Sequence, residues 1–185
     1  KYSKERNKPN ENATSGLSPW LHFGHISTHE ILFKILTKEK WDPGLINESR
    51  IGSRNGWWGL SESSEEFLDQ LITWRELGFN FAHYRKDHDS WTSLPKWAQE
   101  SLEKHSFDYK DELYTLEELE LSKTSDPIWN AAQTQLVRDG IIQNYLRMLW
   151  GKKILQWAPN AKTAMDWMIK LNDKWALDGR DPNSY

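Results

Sequence analysis

The residues best suited to chemistry lie in the stretch DPIWNAAQTQLVRDGIIQNYLRMLWGKKILQW, from Asp126 to Trp157. It holds Trp129, Trp150 and Trp157, and an indole can pack as apolar bulk, stack on a planar ligand or give up an electron. Trp150 and Trp157 are seven residues apart, so a helix carries them on one face, with Arg147 three residues before Trp150 on nearly the same face. A guanidinium beside buried aromatics costs roughly several kcal/mol unless an anion meets it, so this stretch calls for an internal carboxylate or a ligand. With 12 tryptophans in 185 residues, heavy core packing accounts for most of them, and electron transfer or stacking can concern only a subset.

Two polar clusters flank that stretch. Thr14, Ser15, Gly16 and Ser18 precede Pro19. Hydroxyls and backbone N–H groups at a helix start suit a phosphate or pyrophosphate, and the same residues serve equally as plain caps. Near the other end Asn172, Asp173, Asp178, Arg180, Asp181 and Asn183 crowd together, either as a solvated helix end or as a polar wall facing a heteroaromatic ligand. Arg75 and Glu76 fall inside an apolar surround, as an internal charge pair or as a carboxylate aimed into a cleft. His22, His25 and His29 have helical spacings, but Ser27 with Glu30 reads as a capping box that splits the run, and no metal is expected.

The elements that must position these residues are helices. Ser27 to about Lys40 is amphipathic through Ile31, Leu32, Ile35 and Leu36. Trp41 to Leu60 reads as a long connection, and Ser63 with Glu66 predicts the start of a helix placing Phe67, Leu71 and Trp74 on one stripe. Pro95 opens a helix with a face of Trp97, Ala98 and Leu102, and Thr115 with Glu118 caps the next. Asp126 and Pro127 start a helix that Gly140 stops, a second helix runs to Pro159, and Asn160 caps a third. No stretch alternates with period two long enough for a strand, so the fold class is all-α.

Composition sets outer limits. One core is affordable at this length. A net charge of −3 and a pI of about 6.1 leave any nucleic-acid contact to a local patch. The lack of cysteine removes disulfides and thiol chemistry. No apolar run nears a membrane span and no secretory signal is evident, so no membrane role and no secretion are expected. The chain starts without methionine and stops straight after a motif-like run, which suggests a fragment.

Tyr2 followed by TSGLSPWLHFGHIS, WRELGFNF, YTLEELE, DPIWNAAQ, NYLRMLWGKKILQW and LNDKWALDGRDPNSY, in that order, closely resembles the FAD-binding helical domain of class II DNA photolyases, which repair cyclobutane pyrimidine dimers. The resemblance covers nearly all of the chain. It implies a helical catalytic domain over 1–185, incomplete at its C-terminal end, and a separate N-terminal α/β domain for an antenna pigment. It also implies FAD as cofactor, DNA containing pyrimidine dimers as partner, a monomer, and a cytoplasmic location in a bacterium or a nuclear one in a eukaryote.

Residue by residue, the resemblance sets Tyr2, Thr14, Ser15, Gly16, Leu17 and Ser18 against the FAD pyrophosphate. Arg147 matches the arginine that pairs with an aspartate beside the flavin ring, here Asp178, and Asn172 the amide facing flavin N5. Arg180, Asp181 and Asn183 complete the implied cofactor contacts. Trp150, Trp129 and Trp157 match, from flavin to surface, the tryptophan relay. Glu76 resembles the glutamate that contacts the flipped dimer, and Asn144 and Met148 lie on the helix facing the lesion. The chain departs from the family at Trp74, where an arginine is usual, and at Ser184, where a glycine is usual. Two other readings compete: a cryptochrome-like photoreceptor that keeps flavin and tryptophans without repair, and a non-catalytic helical interaction module. The implied chemistry is light-driven: a reduced FAD lends an electron to the dimer, the ring splits, and the electron returns.

Overall fold

The computed structural model describes residues 2–11 and 13–184. Every regular element among them is helical, which bears out the all-α expectation. The chain divides after Asn80 into two compact units.

The first unit holds α1 (Tyr2–Glu5), α2 (Ser18–His22), α3 (Thr28–Lys38), α4 (Glu62–Leu68) and the start of α5 (Arg75–Tyr84). Its core is Ile31, Leu68 and Leu71, with Leu17, Leu21, Ile35, Trp58 and Phe67 packed around them. Ser27 caps α3 as its sequence suggests, accepting the Glu30 N–H at 3.1 Å.

The start of α4 differs from the Ser63–Glu66 expectation: the residue before the helix is Ser61. Tertiary partners decide this. Glu39, at the end of α3, accepts the backbone N–H of Ser61 at 2.7 Å and its hydroxyl at 2.6 Å, while Ser63 meets Ser3 at 3.2 Å. Burial works against the Glu39 carboxylate, yet the hydroxyls of Ser61 and Ser64 hold its pKa below the ordinary value. Glu65, only 3% exposed, turns back to accept the N–H groups of Gly56, Gly59 and Leu60 and so closes the long 41–60 connection onto α4.

Between α4 and α5 the residues Asp69–Trp74 form a π-helical stretch. One extra residue per turn rotates everything after it, which overturns the expected Phe67–Leu71–Trp74 stripe. Leu71 stays in the core at 5% exposure, whereas Trp74 emerges at 57% and donates its indole N–H to Asp69 at 3.0 Å.

The second unit is built on α8 (Pro127–Asp139), α9 (Asn144–Trp157) and α10 (Ala161–Trp175), with α6 (Lys96–Lys104) and α7 (Leu116–Glu120) before them. Its core joins Leu119, Trp129, Leu136, Trp150, Ile154, Trp157 and Leu171. The expected caps hold. Asp126 accepts the N–H groups of Ile128 and Trp129, both at 3.0 Å, Asn160 accepts that of Thr163 at 2.9 Å, and Thr115 with Glu118 forms a full capping box. Gly140 ends α8 at φ 72°. A Cβ there would lie 2.5 Å from the Leu177 side chain, and the Gly140 carbonyl accepts the Leu177 N–H at 2.8 Å, so only glycine fits both the turn and the contact. Trp97 departs from its predicted apolar face and is 73% exposed, because α6 contributes no residue to the buried core.

Candidate functional site

Of the twelve tryptophans, only Trp129, Trp150 and Trp157 are buried. This corrects the expectation that most of them fill the core: Trp20, Trp74 and Trp97 are exposed and the remainder half-buried. Antiparallel packing of α8 on α9 brings the three together. The Trp129 and Trp150 rings lie parallel within 3° at a centroid distance of 6.3 Å. Trp129 meets Trp157 edge to face at 5.5 Å. The contact order is therefore Trp150, Trp129, Trp157, with Trp129 in the middle although it comes first in sequence.

Two features of this trio escaped the sequence reading. Trp157, expected as the surface end, is 2% exposed. Tyr114 covers it edge-on at 5.3 Å, Lys153 sits 5.0 Å above its ring, and its carbonyl accepts the Tyr114 N–H. The other feature is Gln133, wholly buried, whose side-chain oxygen accepts the Trp150 indole N–H at 2.8 Å. Its position four residues after Trp129 places it on the same face of α8, which is the only signal the sequence carries for it.

Arg147, one turn before Trp150 on α9, donates to Asp178 at 2.9 Å, with side chains 26% and 13% exposed. The anionic partner demanded by a shielded guanidinium is thus an internal carboxylate, and a part-buried pair of this kind fixes the loop that carries Asp178. That loop is tightly folded. Gly179 is buried, and a Cβ on it would fall 2.7 Å from the Asn172 carbonyl. Asp173 accepts the Arg180 N–H at 3.0 Å, Asp181 accepts both the N–H and the side-chain amide of Asn183, and Ser184 donates to the Asp178 carbonyl at 3.1 Å. The carboxylates of this cluster hold their own turn, while Arg180 and Asn183 remain exposed. Asn172 stands apart: 8% exposed, with no hydrogen bond to its side-chain amide among the described residues. An amide that its neighbours leave uncommitted can offer both its donor and its acceptor to a ligand edge.

Asn144 and Met148 are both exposed and one turn apart on α9. In the first unit Glu76 is 57% exposed, contrary to an apolar surround. Its neighbour Arg75 reaches it at 3.5 Å and lies over the Phe79 ring at 4.3 Å, so the charge pair is the arrangement realised. Thr14, Ser15, Gly16 and Ser18 are exposed and Leu17 half-buried. Leu17, not a hydroxyl residue, precedes α2. Ser15 accepts the Leu17 N–H at 3.4 Å and Gly16 turns the chain at φ 64°, leaving Thr14 and Ser18 uncommitted as caps. Tyr2 packs edge-on against Phe67 at 5.3 Å. Among the described residues no three His, Asp or Glu side chains group as metal ligands, and no helix is long and apolar enough to cross a membrane.

No protein-family model matches the chain. Over its whole length it is 38% identical to a deoxyribodipyrimidine photo-lyase of Potorous tridactylus, covering 31% of that protein. It is 39% identical to that of Methanothermobacter thermautotrophicus, covering 36%, and 37% identical to that of Arabidopsis thaliana, covering 34%. The chain thus spans about a third of the length of the curated relatives it matches. Over that third of their length the chain is similar from end to end to deoxyribodipyrimidine photo-lyases, and its described residues are all-helical.

Proposed function

We propose that the chain is the flavin-binding helical part of a class II enzyme that uses light and reduced FAD to reverse cyclobutane pyrimidine dimers in DNA. One observation carries the reading most: the three buried tryptophans form a continuous ring contact on the helix pair whose second member also carries Arg147, paired with Asp178.

When bound, FAD supplies light absorption and one-electron exchange. The partnerless amide of Asn172 fits the polar edge of a flavin ring, and Arg147 with Asp178 holds the wall beside it. Arg180, Asp181 and Asn183 complete that wall in the second unit. Tyr2 and the Thr14–Ser18 turn, with the uncommitted hydroxyls of Thr14 and Ser18, suit the pyrophosphate. Trp150, Trp129 and Trp157 pass electrons inward to load the cofactor. Glu76 accepts hydrogen bonds from the flipped bases, and Asn144 and Met148 meet the lesion from α9. A dimer inside a duplex must be flipped out to be reached, and its weakened pairing lowers that cost.

The test is an absorption spectrum of the purified chain after adding FAD, followed by illumination with a dimer-containing oligonucleotide. A flavin spectrum perturbed by binding and light-dependent loss of dimers is the expected result. If neither this chain nor the longer protein retains flavin, the assignment fails; flavin retention without dimer loss would make it a photoreceptor.

A further inference from the structure

The ring contact between Trp129 and Trp150 is held by hydrogen bonds at both indole nitrogens. Trp150 donates its N–H to the side-chain oxygen of Gln133 at 2.8 Å, and Trp129 donates its own to the backbone carbonyl of Trp150 at 3.1 Å. Gln133 has no solvent exposure, and its amide nitrogen reaches the Glu120 carbonyl at 3.4 Å. An uncharged amide shut off from solvent costs free energy unless both of its ends are engaged, so its placement is tied to the Trp150 ring. Trp129 and Gln133 stand one turn apart on α8. That helix offers the Trp150 indole a ring to stack on and an oxygen to hold.

We infer that Gln133 is a positioning residue for electron transfer through Trp150: it fixes the indole plane against Trp129 and leaves the indole proton in place while charge passes. This rests on the reading of the three tryptophans as an electron relay toward an excited flavin. In that step Trp150 loses one electron to the flavin and becomes an indole radical cation, and Trp129 then gives Trp150 one electron and becomes the radical cation in turn. No bond forms or breaks. An amide or peptide oxygen is too weak a base to take the indole proton, so at both positions the N–H survives the loss of the electron and the return path stays open. The two rings are held parallel within 3° at a centroid distance of 6.3 Å, an offset arrangement close enough for an electron to pass between them. Without its anchor the Trp150 ring is free to tilt about its side-chain torsions.

The test uses Gln133→Met, which keeps the bulk and removes the acceptor, and Gln133→Glu, which restores an acceptor oxygen in either protonation state. Two measurements need neither flavin nor light: solvent exchange of the Trp150 indole N–H by nitrogen-15 NMR, and the near-ultraviolet circular dichroism of the stacked pair. Gln133→Met should speed that exchange by roughly tenfold, the loss of about one buried hydrogen bond, and weaken the paired-indole signal; Gln133→Glu should recover both. In the flavin-loaded full chain, light-driven flavin reduction at equal occupancy should slow several-fold in Gln133→Met. Unmoved exchange and dichroism in Gln133→Met overturn the anchoring role. Normal photoreduction in Gln133→Met, with photoreduction lost in Trp150→Phe, overturns the part assigned to Gln133 and leaves the relay standing. Normal photoreduction in Trp150→Phe as well overturns the relay itself, and the role of Gln133 with it.

Discussion

Arg147 and Asp178 show how a single side chain can be read before its partner is known. The sequence demands an anion for Arg147, and the structure supplies Asp178 from a loop 31 residues on. Their part burial sets the expected effect: Asp178→Ala leaves a half-shielded guanidinium and should loosen flavin retention by about 1–3 kcal/mol, below the range for a fully buried pair. Equilibrium dialysis of FAD against parent and variant checks this, and equal affinity would remove the pair from the site. Glu76→Ala should lower dimer repair in the full protein by roughly 1.5–3 kcal/mol in transition-state terms, the range for a charge-assisted hydrogen bond, with flavin absorbance unchanged. Unaltered repair under limiting light would leave Glu76 as no more than the partner of Arg75. Asn172 was legible only as one member of a polar crowd. Its separate standing depends on which neighbours spend their groups on the turn, and that is set by three-dimensional closure around Gly179.

At the scale of elements, local chemistry was legible and phase was not. Asp126, Thr115, Asn160 and Gly140 act within a few residues of themselves, and each caps or stops the helix its sequence position suggests. The start of α4 differs from the Ser63–Glu66 motif because Glu39, more than twenty residues away, fixes Ser61 ahead of the helix while Ser63 turns to Ser3. A π-helical stretch preserves the look of a helix while advancing its register, so Trp74 fits a core stripe in the sequence and lies in solvent in the fold. Gln133 stayed hidden because its partner lies on another helix. Gly140→Ala is the sharpest test here: it forces a positive φ on alanine and drives a methyl into Leu177, so it should cost at least about 1–2 kcal/mol. Urea denaturation reads this directly, and a neutral result would mean that the turn is not held as described.

Across the second unit, stability should depend on acid in a definite direction. The Lys174 ammonium, with the Trp175 N–H, holds the Glu120 carboxyl below its ordinary value, and the N–H groups of Trp129 and Ile128 do the same for Asp126. Carboxyls lowered in the folded state add stability that is complete above the ordinary carboxylate range, near pH 4, and lost as the pH falls through the lowered folded values. Glu120→Gln should therefore cost about 1 kcal/mol at neutral pH and flatten the acid limb of the unfolding curve. A parallel downward shift at every pH would contradict the linkage. Trp129→Phe or Trp150→Phe should keep the fold within roughly 1–2 kcal/mol and nearly stop light-driven flavin reduction, while Trp97→Phe, on an exposed face, leaves it intact. Repair begun from chemically reduced flavin should persist in all three. The π-helical stretch at Asp69–Trp74 adds a constraint of another kind. Deleting one residue from it would yield an ordinary helix with all its backbone bonds made, yet would swing Arg75 and Glu76 about 100° around the axis relative to Leu68 and Leu71. The direction in which that glutamate points is thus encoded in chain length, and a single-codon deletion that leaves circular dichroism untouched would re-aim it.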